Sequence, residues 1–172
     1  MEQRERILDA VQALTVANRK LPSILEVANE VGLTKQGVLH YFPTRRALDA
    51  AVISRALAKV DDAMREAAAA GSPAATYLRL SSPDEGDQAA VMVLVTALRR
   101  EGNGLPPEVG QAVIRWEGMI AEELGDPVRA EVVRLVGDGL FGEALITGTP
   151  PPADRVQRLV AHLRTGAAQE RP

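Results

Sequence analysis

Apolar residues recur at intervals of three and four positions along almost the whole chain. The first such series is Ile7, Leu8, Val11 and Leu14. This spacing places side chains on one face of an α-helix, whereas a half-buried strand needs a strict alternation that the chain does not show. The sequence therefore predicts an all-α fold of about nine helices.

Capping residues and helix breakers divide this pattern into separate helices. Ser23 and Glu26 have the spacing of a capping box, and Thr34 precedes the next helix as its N-cap residue. Gly32 and Pro43 end the two short helices that these caps begin. The predicted helices run from Glu2 to about Ala17, Ser23 to Gly32, Lys35 to Phe42, Thr44 to Gly71, about Asp87 to Arg100, Val109 to Gly125, about 127 to 148, and about 153 to 165.

The composition is that of an ordinary globular protein. The chain has 172 residues, of which 46% are hydrophobic and 25% charged, enough for one large domain or two small ones. It has no cysteine, which excludes disulfides and thiolate chemistry. The charged N-terminus does not resemble a signal peptide, and the longest apolar run, Ala89 to Leu98, is far shorter than the roughly 20 residues that span a membrane. We therefore expect a cytoplasmic protein with no membrane partner.

Basic residues are concentrated near the N-terminus, although the net charge is −3. Residues 1–55 hold eight Lys and Arg against six Asp and Glu, whereas residues 56–172 hold 12 against 17. Phosphate binding depends on Lys and Arg, so the average charge alone argues against a nucleic-acid partner. A basic N-terminal segment on an acidic body is instead typical of a DNA-binding head joined to a domain with another task.

The two short helices on either side of Gly32 have the pattern of a helix-turn-helix. Val38 and Phe42, four residues apart, are expected to anchor the second helix in a core. Its other face then carries Lys35, Gln36, Gly37, Leu39 and His40. In the major groove of DNA, lysine can donate to guanine, glutamine can pair with adenine, and a glycine lets the backbone approach closely. We therefore predict that this helix reads DNA.

The stretch SILEVANEVGLTKQGVLHYFPTRRAL, residues 23–48, resembles the N-terminal signature of the TetR family of bacterial transcriptional repressors. The resemblance covers roughly residues 4–55. Where the family usually has a tyrosine this chain has Leu39, and His40 and Tyr41 are the candidates for its phosphate contact. With Arg45 as a further phosphate contact, the predicted DNA-binding residues are Thr34, Lys35, Gln36, Gly37, Leu39, His40, Tyr41 and Arg45.

The same resemblance implies a helix-turn-helix domain of residues 1–46 and a helical ligand-binding and dimerisation domain of residues 47–172. The last two helices, about 127–148 and 153–165, are expected to form a homodimer as a four-helix bundle. A cavity among the central helices is expected to admit an apolar small-molecule effector that releases the protein from double-stranded operator DNA. The candidate cavity residues, for which ordinary core packing is the alternative, are Met92, Arg115, Trp116, Met119, Asp138 and Phe141.

No motif supports an enzyme. Residues 137–142, GDGLFG, match the dinucleotide fingerprint G-x-G-x-x-G, but the helical apolar pattern runs through them, whereas the fingerprint lies between a strand and a helix. We expect these glycines to permit the close approach of a helix or a ligand. The only histidines, His40 and His162, are too few for a triad or a metal cluster. The sequence predicts no catalytic residue, no metal site and no cofactor.

The sequence leaves three functions open. The first is a homodimeric repressor that an effector releases from its operator. The second is an activator or a constitutive DNA-binding dimer without a ligand. The third is a small-molecule binding module with a degenerate DNA-binding head, which the net acidity and Leu39 favour.

Overall fold

The structure, a computed structural model, describes residues 2–82, 85–101, 106–147 and 149–169. Over these residues it contains nine α-helices, one short 3-10 turn and no strand, which confirms the predicted all-α class. No helix in these ranges is both long and apolar enough to cross a membrane. The helices are α1 (Gln3–Asn18), α2 (Ile24–Glu30), α3 (Lys35–Tyr41), α4 (Arg45–Ala69), α5 (Pro73–Leu80), α6 (Gln88–Glu101), α7 (Pro107–Leu124), α8 (Pro127–Thr147) and α9 (Ala153–Gln169).

Side chains cap the N-termini of α2, α3 and α4, as predicted for Ser23 and Thr34. Ser23 accepts a hydrogen bond from the Glu26 amide at 3.2 Å, and the Glu26 carboxylate accepts one from the Ser23 amide at 2.6 Å. Thr34 accepts from the Gly37 amide, and Thr44 from the Ala47 amide, each at 3.0 Å. Each cap satisfies a backbone N–H that lacks a partner within its helix, so these short-range signals set the helix starts.

Helix α5 is the element that the sequence pattern does not place. It is eight residues long and begins with Pro73 at its first positions, where the missing N–H costs nothing. Gly71, with φ +66°, ends α4 just before it, and the Ser72 amide bonds back to the Ala67 carbonyl at 2.9 Å. The alanine-rich end of α4 leaves little apolar contrast to mark the start of a new helix.

The first of two compact units comprises the described residues of 1–58 and 84–106. Its core contains Ile7, Val11, Val27, Val38, Phe42 and Leu48. Arg55 of α4 donates to the Asp9 carboxylate at 2.7 Å and to the Leu8 carbonyl at 3.0 Å, which fastens α4 to α1. Helix α6 also packs on α1, where the Ala89 amide donates to the Gln12 side chain at 3.3 Å. A helix from the middle of the chain thus joins the three N-terminal helices.

The second unit comprises the described residues of 59–83 and 107–172. Helices α7 and α8 pack against each other, and α5 packs against both. The Glu123 carboxylate of α7 accepts from the Ala74 amide at 2.7 Å and so caps α5. The predicted functional boundary between residues 46 and 47 lies within α4, whose residues 45–58 belong to the first unit and 59–69 to the second.

Helix α8 has two apolar faces. The inward face carries Ala130, Val133, Gly137, Leu140 and Ala144, all buried. The outward face carries Val128, Val132, Leu135 and Ile146, which are exposed. Helix α8 is therefore apolar on both sides, and the single chain buries only its inward face.

Candidate nucleic-acid interface and ligand-binding region

A tight turn at Gly32 sets α3 against α2. Gly32 has φ +69°, a left-handed conformation that other residues adopt at a cost. The Leu33 amide bonds to the Ala28 carbonyl at 2.9 Å, and Thr34 then caps α3. The predicted helix-turn-helix arrangement of two short helices is therefore present.

The two sides of α3 differ as the sequence predicts. Val38 and Phe42 are fully buried, and the Arg4 guanidinium lies over the Phe42 ring, 4.6 Å from its centroid. This contact fixes the end of α3 to α1. On the other side Thr34, Lys35, Gln36, His40 and Tyr41 are exposed, while Gly37 and Leu39 are half-buried. The rings of His40 and Tyr41 meet edge to face at 5.4 Å between centroids.

Gly37 is not required by packing within the chain. A Cβ atom at this position would lie 3.4 Å from Leu33 Cβ and from Thr34 Oγ1, the short end of ordinary van der Waals contact. Its φ is not positive, so an alanine would fit the backbone as well. A glycine in a helix costs up to about 1 kcal/mol relative to alanine, and nothing inside the fold accounts for that cost here.

Arg45 is engaged within the first unit. Its Nε donates to the Asp49 carboxylate at 2.7 Å, and its Nη1 donates to the Pro22 carbonyl just before the α2 cap. The side chain thereby ties the start of α4 to the loop that leads into α2. Its predicted phosphate contact stays a prediction, and the two internal contacts give it a second role in holding the helix-turn-helix together.

The candidate cavity residues lie on three helices. Met92 is half-buried on α6, in the first unit, and the other five lie on α7 and α8 in the second. Trp116 is buried, Met119 and Phe141 are half-buried, and Arg115 and Asp138 are exposed. The Tyr77 ring of α5 lies 6.3 Å from the Trp116 ring between centroids.

Both polar candidates already have charged partners. Arg115 donates to the Asp61 carboxylate at 2.7 Å, and the other oxygen of Asp61 accepts from the Trp116 indole N–H at 2.6 Å. Asp138 accepts from the Tyr77 hydroxyl at 3.0 Å and from Arg134 at 2.7 Å. The sequence pattern did not identify these three partners, Asp61, Tyr77 and Arg134, as part of a site, because no local motif relates them to Arg115 and Asp138.

Tyr77 and Arg134 titrate outside their ordinary ranges. Burial, followed by the carboxylate of Asp138, raises the pKa of the Tyr77 hydroxyl well above its usual value, so it donates a hydrogen bond at any physiological pH. Desolvation alone lowers the pKa of Arg134, but the carboxylates of Asp138 and Glu117 raise it overall. The Arg134 Nε donates to Glu117 at 2.6 Å, which links α8 to α7. Both shifts keep the Tyr77 hydroxyl and the Arg134 guanidinium protonated near pH 7.

Comparison with known proteins places the chain in a family. Residues 71–168 match the family model described as "Tetracyclin repressor-like, C-terminal domain", which is more than half of the chain. The chain therefore belongs to the TetR family of transcriptional regulators. None of the curated proteins compared with the sequence matches it significantly.

Three solved structures are similar in fold. A TetR-family member (SCO1917) from Streptomyces coelicolor A3 superposes with a TM-score of 0.73 at 21% identity, covering 95% of this chain and 98% of that one. The multidrug binding protein EbrR complexed with ethidium gives a TM-score of 0.65 at 22% identity, over 94% and 98% of the two chains. EbrR complexed with imidazole gives 0.61 at 23% identity, over 95% of each. At these identities the matches show the fold alone.

The described part of the chain contains no group of three or more His, Asp or Glu side chains that could hold a metal ion. The acidic side chains of the second unit that surround Arg134 are instead paired with that guanidinium.

Proposed function

We propose that the protein is a sequence-specific DNA-binding regulator whose α3 enters the major groove of an operator. The observation that carries this proposal is the division of α3, in which Val38 and Phe42 are buried and Lys35, Gln36 and His40 are exposed together. A helix anchored on one side and polar on the other can reach base edges without unfolding its own core.

The test is fluorescence anisotropy of the protein on the DNA upstream of its own coding region, at two salt concentrations. Sequence-selective binding that weakens with salt supports a DNA-binding regulator, because phosphate contacts release counterions. If the protein binds no duplex from that region, selection of binding sites from random-sequence DNA distinguishes two explanations. An enriched sequence indicates an operator elsewhere, and no enrichment indicates that the helix-turn-helix does not read DNA.

Gln36→Ala is expected to relax the base preference at one position of each half-site, by about 1 to 3 kcal/mol. The exposed amide can form two hydrogen bonds with one base edge, and alanine can form none. Affinities for duplexes that differ at each position in turn give the measurement. Gln111→Ala, which removes an exposed glutamine from α7, is the matched control and should leave the preference unchanged. A uniform loss across all duplexes would contradict a base-reading role for Gln36.

Gly37→Ala is expected to raise the stability of the fold by up to about 1 kcal/mol and to weaken operator binding about tenfold. Alanine is the better helix former, but its methyl group occupies the space through which the α3 backbone approaches the groove. Thermal melting and operator titration measure the two effects separately. Gly118→Ala, at an exposed mid-helix glycine with open space around its Cβ, should give the stability gain alone. Unchanged operator affinity in Gly37→Ala would remove the close-approach argument.

The protein is proposed to act as a homodimer through α8 and α9. Val128, Val132, Leu135, Gly139, Gly142 and Ile146 follow one another at alternating steps of four and three along α8. This is the spacing of a helix-packing seam. A Cβ at Gly139 or Gly142 would meet nothing within 4 Å, so both glycines leave room for a second helix. Two-fold pairing then presents two copies of α3 to two half-sites about one helical turn apart.

The most specific version of the proposal is a repressor that an apolar small molecule releases. EbrR is described as a multidrug binding protein and has been crystallised with ethidium, which supports a ligand-binding role for the related second unit here. Within the second unit, Trp116, Met119 and Phe141 are the proposed apolar contacts, and Arg115 and Asp138 are the proposed polar ones. Displacement of labelled operator by a panel of apolar compounds tests this version. A protein that binds operator but responds to no compound supports the alternative of an activator or a constitutive DNA-binding dimer.

A further inference from the structure

The carboxylate of Asp49 binds the guanidinium of Arg45, one turn earlier on the same helix. The Arg45 Nε donates to Asp49 at 2.7 Å, and the two side chains are only 30% and 22% exposed. A charge-assisted hydrogen bond that water screens only in part is stronger than a pair on an open surface. The Lys20–Glu26 pair of the same unit is such an open pair, since its atoms are 3.4 Å apart and its side chains are 63% and 43% exposed. Asp49 therefore restricts the position of Arg45.

The same guanidinium also donates, through Nη1, to the carbonyl of Pro22. Pro22 is fully buried and directly precedes Ser23, which caps α2. Arg45 directly follows Thr44, which caps α4. One side chain therefore joins the two ends of residues 23–44, the segment that contains both helices of the helix-turn-helix. The contact spans 23 residues of sequence, so no pattern within one helix predicts it.

The pairing with Asp49 changes what Arg45 offers to DNA. The negative charge of the carboxylate balances the positive charge of the guanidinium, and a phosphate that approached Arg45 would also approach that carboxylate. A side chain that served only to neutralise a phosphate gains nothing from a carboxylate bound to it, because affinity for phosphate depends on positive charge. The arrangement instead suits a residue that holds the backbone in place.

We propose that Asp49 is a positioning residue for DNA binding, which acts through Arg45. Because it holds the guanidinium against the Pro22 carbonyl, it fixes the start of α2 relative to the start of α4, and with them the way α3 is presented to the major groove. The inference rests on the proposed function, since it concerns the helix that contacts bases. An acidic residue is thereby required for tight binding to a polyanion.

Simple electrostatics and positioning predict effects of opposite sign for Asp49→Ala. If only charge matters, the loss of a negative charge strengthens binding to any duplex. If positioning matters, the loss of the bond to Arg45 weakens binding where bases must be reached accurately, which is on a specific operator sequence. Alanine is also the best helix former, so the substitution keeps α4 helical.

The experiment compares the full-length wild-type protein with Asp49→Ala, Asp49→Asn and the control Glu30→Gln. The probes are the duplex that the wild-type protein selects from random-sequence DNA and a scrambled duplex of the same length and composition. Asp49→Ala is expected to bind the selected duplex about tenfold more weakly and the scrambled duplex within about twofold of wild type. Asp49→Asn retains an oxygen that can accept from Arg45, so we expect it to recover part of the lost affinity. Glu30→Gln removes a negative charge from an exposed position on α2 and should bind both duplexes at least as tightly as wild type.

Arg45→Lys separates positioning from a phosphate contact. Lysine keeps the positive charge, but its single ammonium lacks the planar fork that reaches a carboxylate and a carbonyl at once. Positioning predicts that Arg45→Lys binds the selected duplex about tenfold more weakly, with an unchanged dependence on salt. Its effect should not add to that of Asp49→Ala, because both variants act through the same bond. A phosphate contact predicts instead that lysine substitutes well, and that Arg45→Ala weakens binding to both duplexes and lowers the salt slope by about one.

Thermal melting of each variant distinguishes positioning from a merely structural role. Affinities are measured below the melting transition, and stoichiometric titration gives the fraction of active protein. A merely structural role lowers the melting temperature and leaves the affinity of the folded protein for the selected duplex unchanged. Arg45→Lys keeps the comparison available if Asp49→Ala does not fold.

Failure of this inference and failure of the proposed function give different results. Unchanged or tighter binding of the selected duplex by Asp49→Ala, or equal losses on both duplexes, would overturn the positioning role and leave the proposed function intact. Absence of selective DNA binding by the wild-type protein would instead overturn the proposed function and this inference with it.

Discussion

Replacing Val132 and Leu135 together with aspartate is expected to convert the proposed dimer into monomers and to lower operator affinity at least about 100-fold. Both side chains lie on the outward face of α8 and are about half exposed in the single chain, at 47% and 54%. In a two-fold dimer the double substitution places four carboxylates in the contact between the two α8 helices. Their desolvation and mutual repulsion cost several kcal/mol, because nothing in that apolar row can pair with them.

The measurement is sedimentation velocity for the oligomeric state, with operator titration alongside. Ile114→Asp is the matched control, since Ile114 is 72% exposed on α7 and lies outside the α8 seam. This substitution makes the same change of polarity, and the variant protein should remain dimeric with unchanged operator affinity. A Val132→Asp/Leu135→Asp protein that sediments as a dimer would show that the outward face of α8 is not the interface.

The helix-turn-helix could be predicted from sequence because its determinants are local. The capping box at Ser23, the Thr34 cap and the positive φ of Gly32 each act within four residues, and each is found where expected. The burial of Val38 and Phe42 follows from their spacing on one short helix. What a side chain on the exposed face contacts is not encoded in that spacing, so the DNA-binding roles stay predictions.

The polar contacts of the second unit could not be predicted, because their partners are distant in the chain. Trp116 and Asp61 are 55 residues apart, and Tyr77 and Asp138 are 61 apart. No periodic pattern relates such pairs, and an aspartate in a helix usually faces water. The same reason explains why α6 was not expected to pack on α1, since the Gln12 contact with Ala89 spans 77 residues.

The role of the three glycines of GDGLFG could be predicted only in part. The sequence pattern predicted that they permit a close approach, without deciding between a partner helix and a ligand. The structure divides them, because Gly137 faces α5 of the same chain whereas Gly139 and Gly142 face open space. Of these three glycines, only Gly137 has another part of the same chain against it, and the space beside Gly139 and Gly142 stays open for the proposed dimer contact.

Gly137→Ala is expected to destabilise the fold by about 3 kcal/mol, although alanine is the better helix former. An added Cβ would lie 2.6 Å from Ser81 Oγ and 2.9 Å from Cδ1 of the Tyr77 ring, and closer still to Cε1 of that ring. Tyr77 is buried, and its hydroxyl is held by Asp138, so the ring cannot move aside without losing that bond. Chemical denaturation of the two proteins measures the difference.

Two companion variants separate the steric cause from a general intolerance of substitution. Gly118→Ala, in open space on α7, should be neutral or stabilising. Tyr77→Ala should cost less in the Gly137→Ala protein than in the wild type, because it removes the atoms with which the new methyl group collides. If the two losses simply add, the collision with Tyr77 is not what Gly137 avoids. Non-additivity would instead establish that α5 packs closely on α8 because residue 137 has no side chain. Gly137 then belongs to the inward face of α8, the helix whose outward face we propose as the dimer contact.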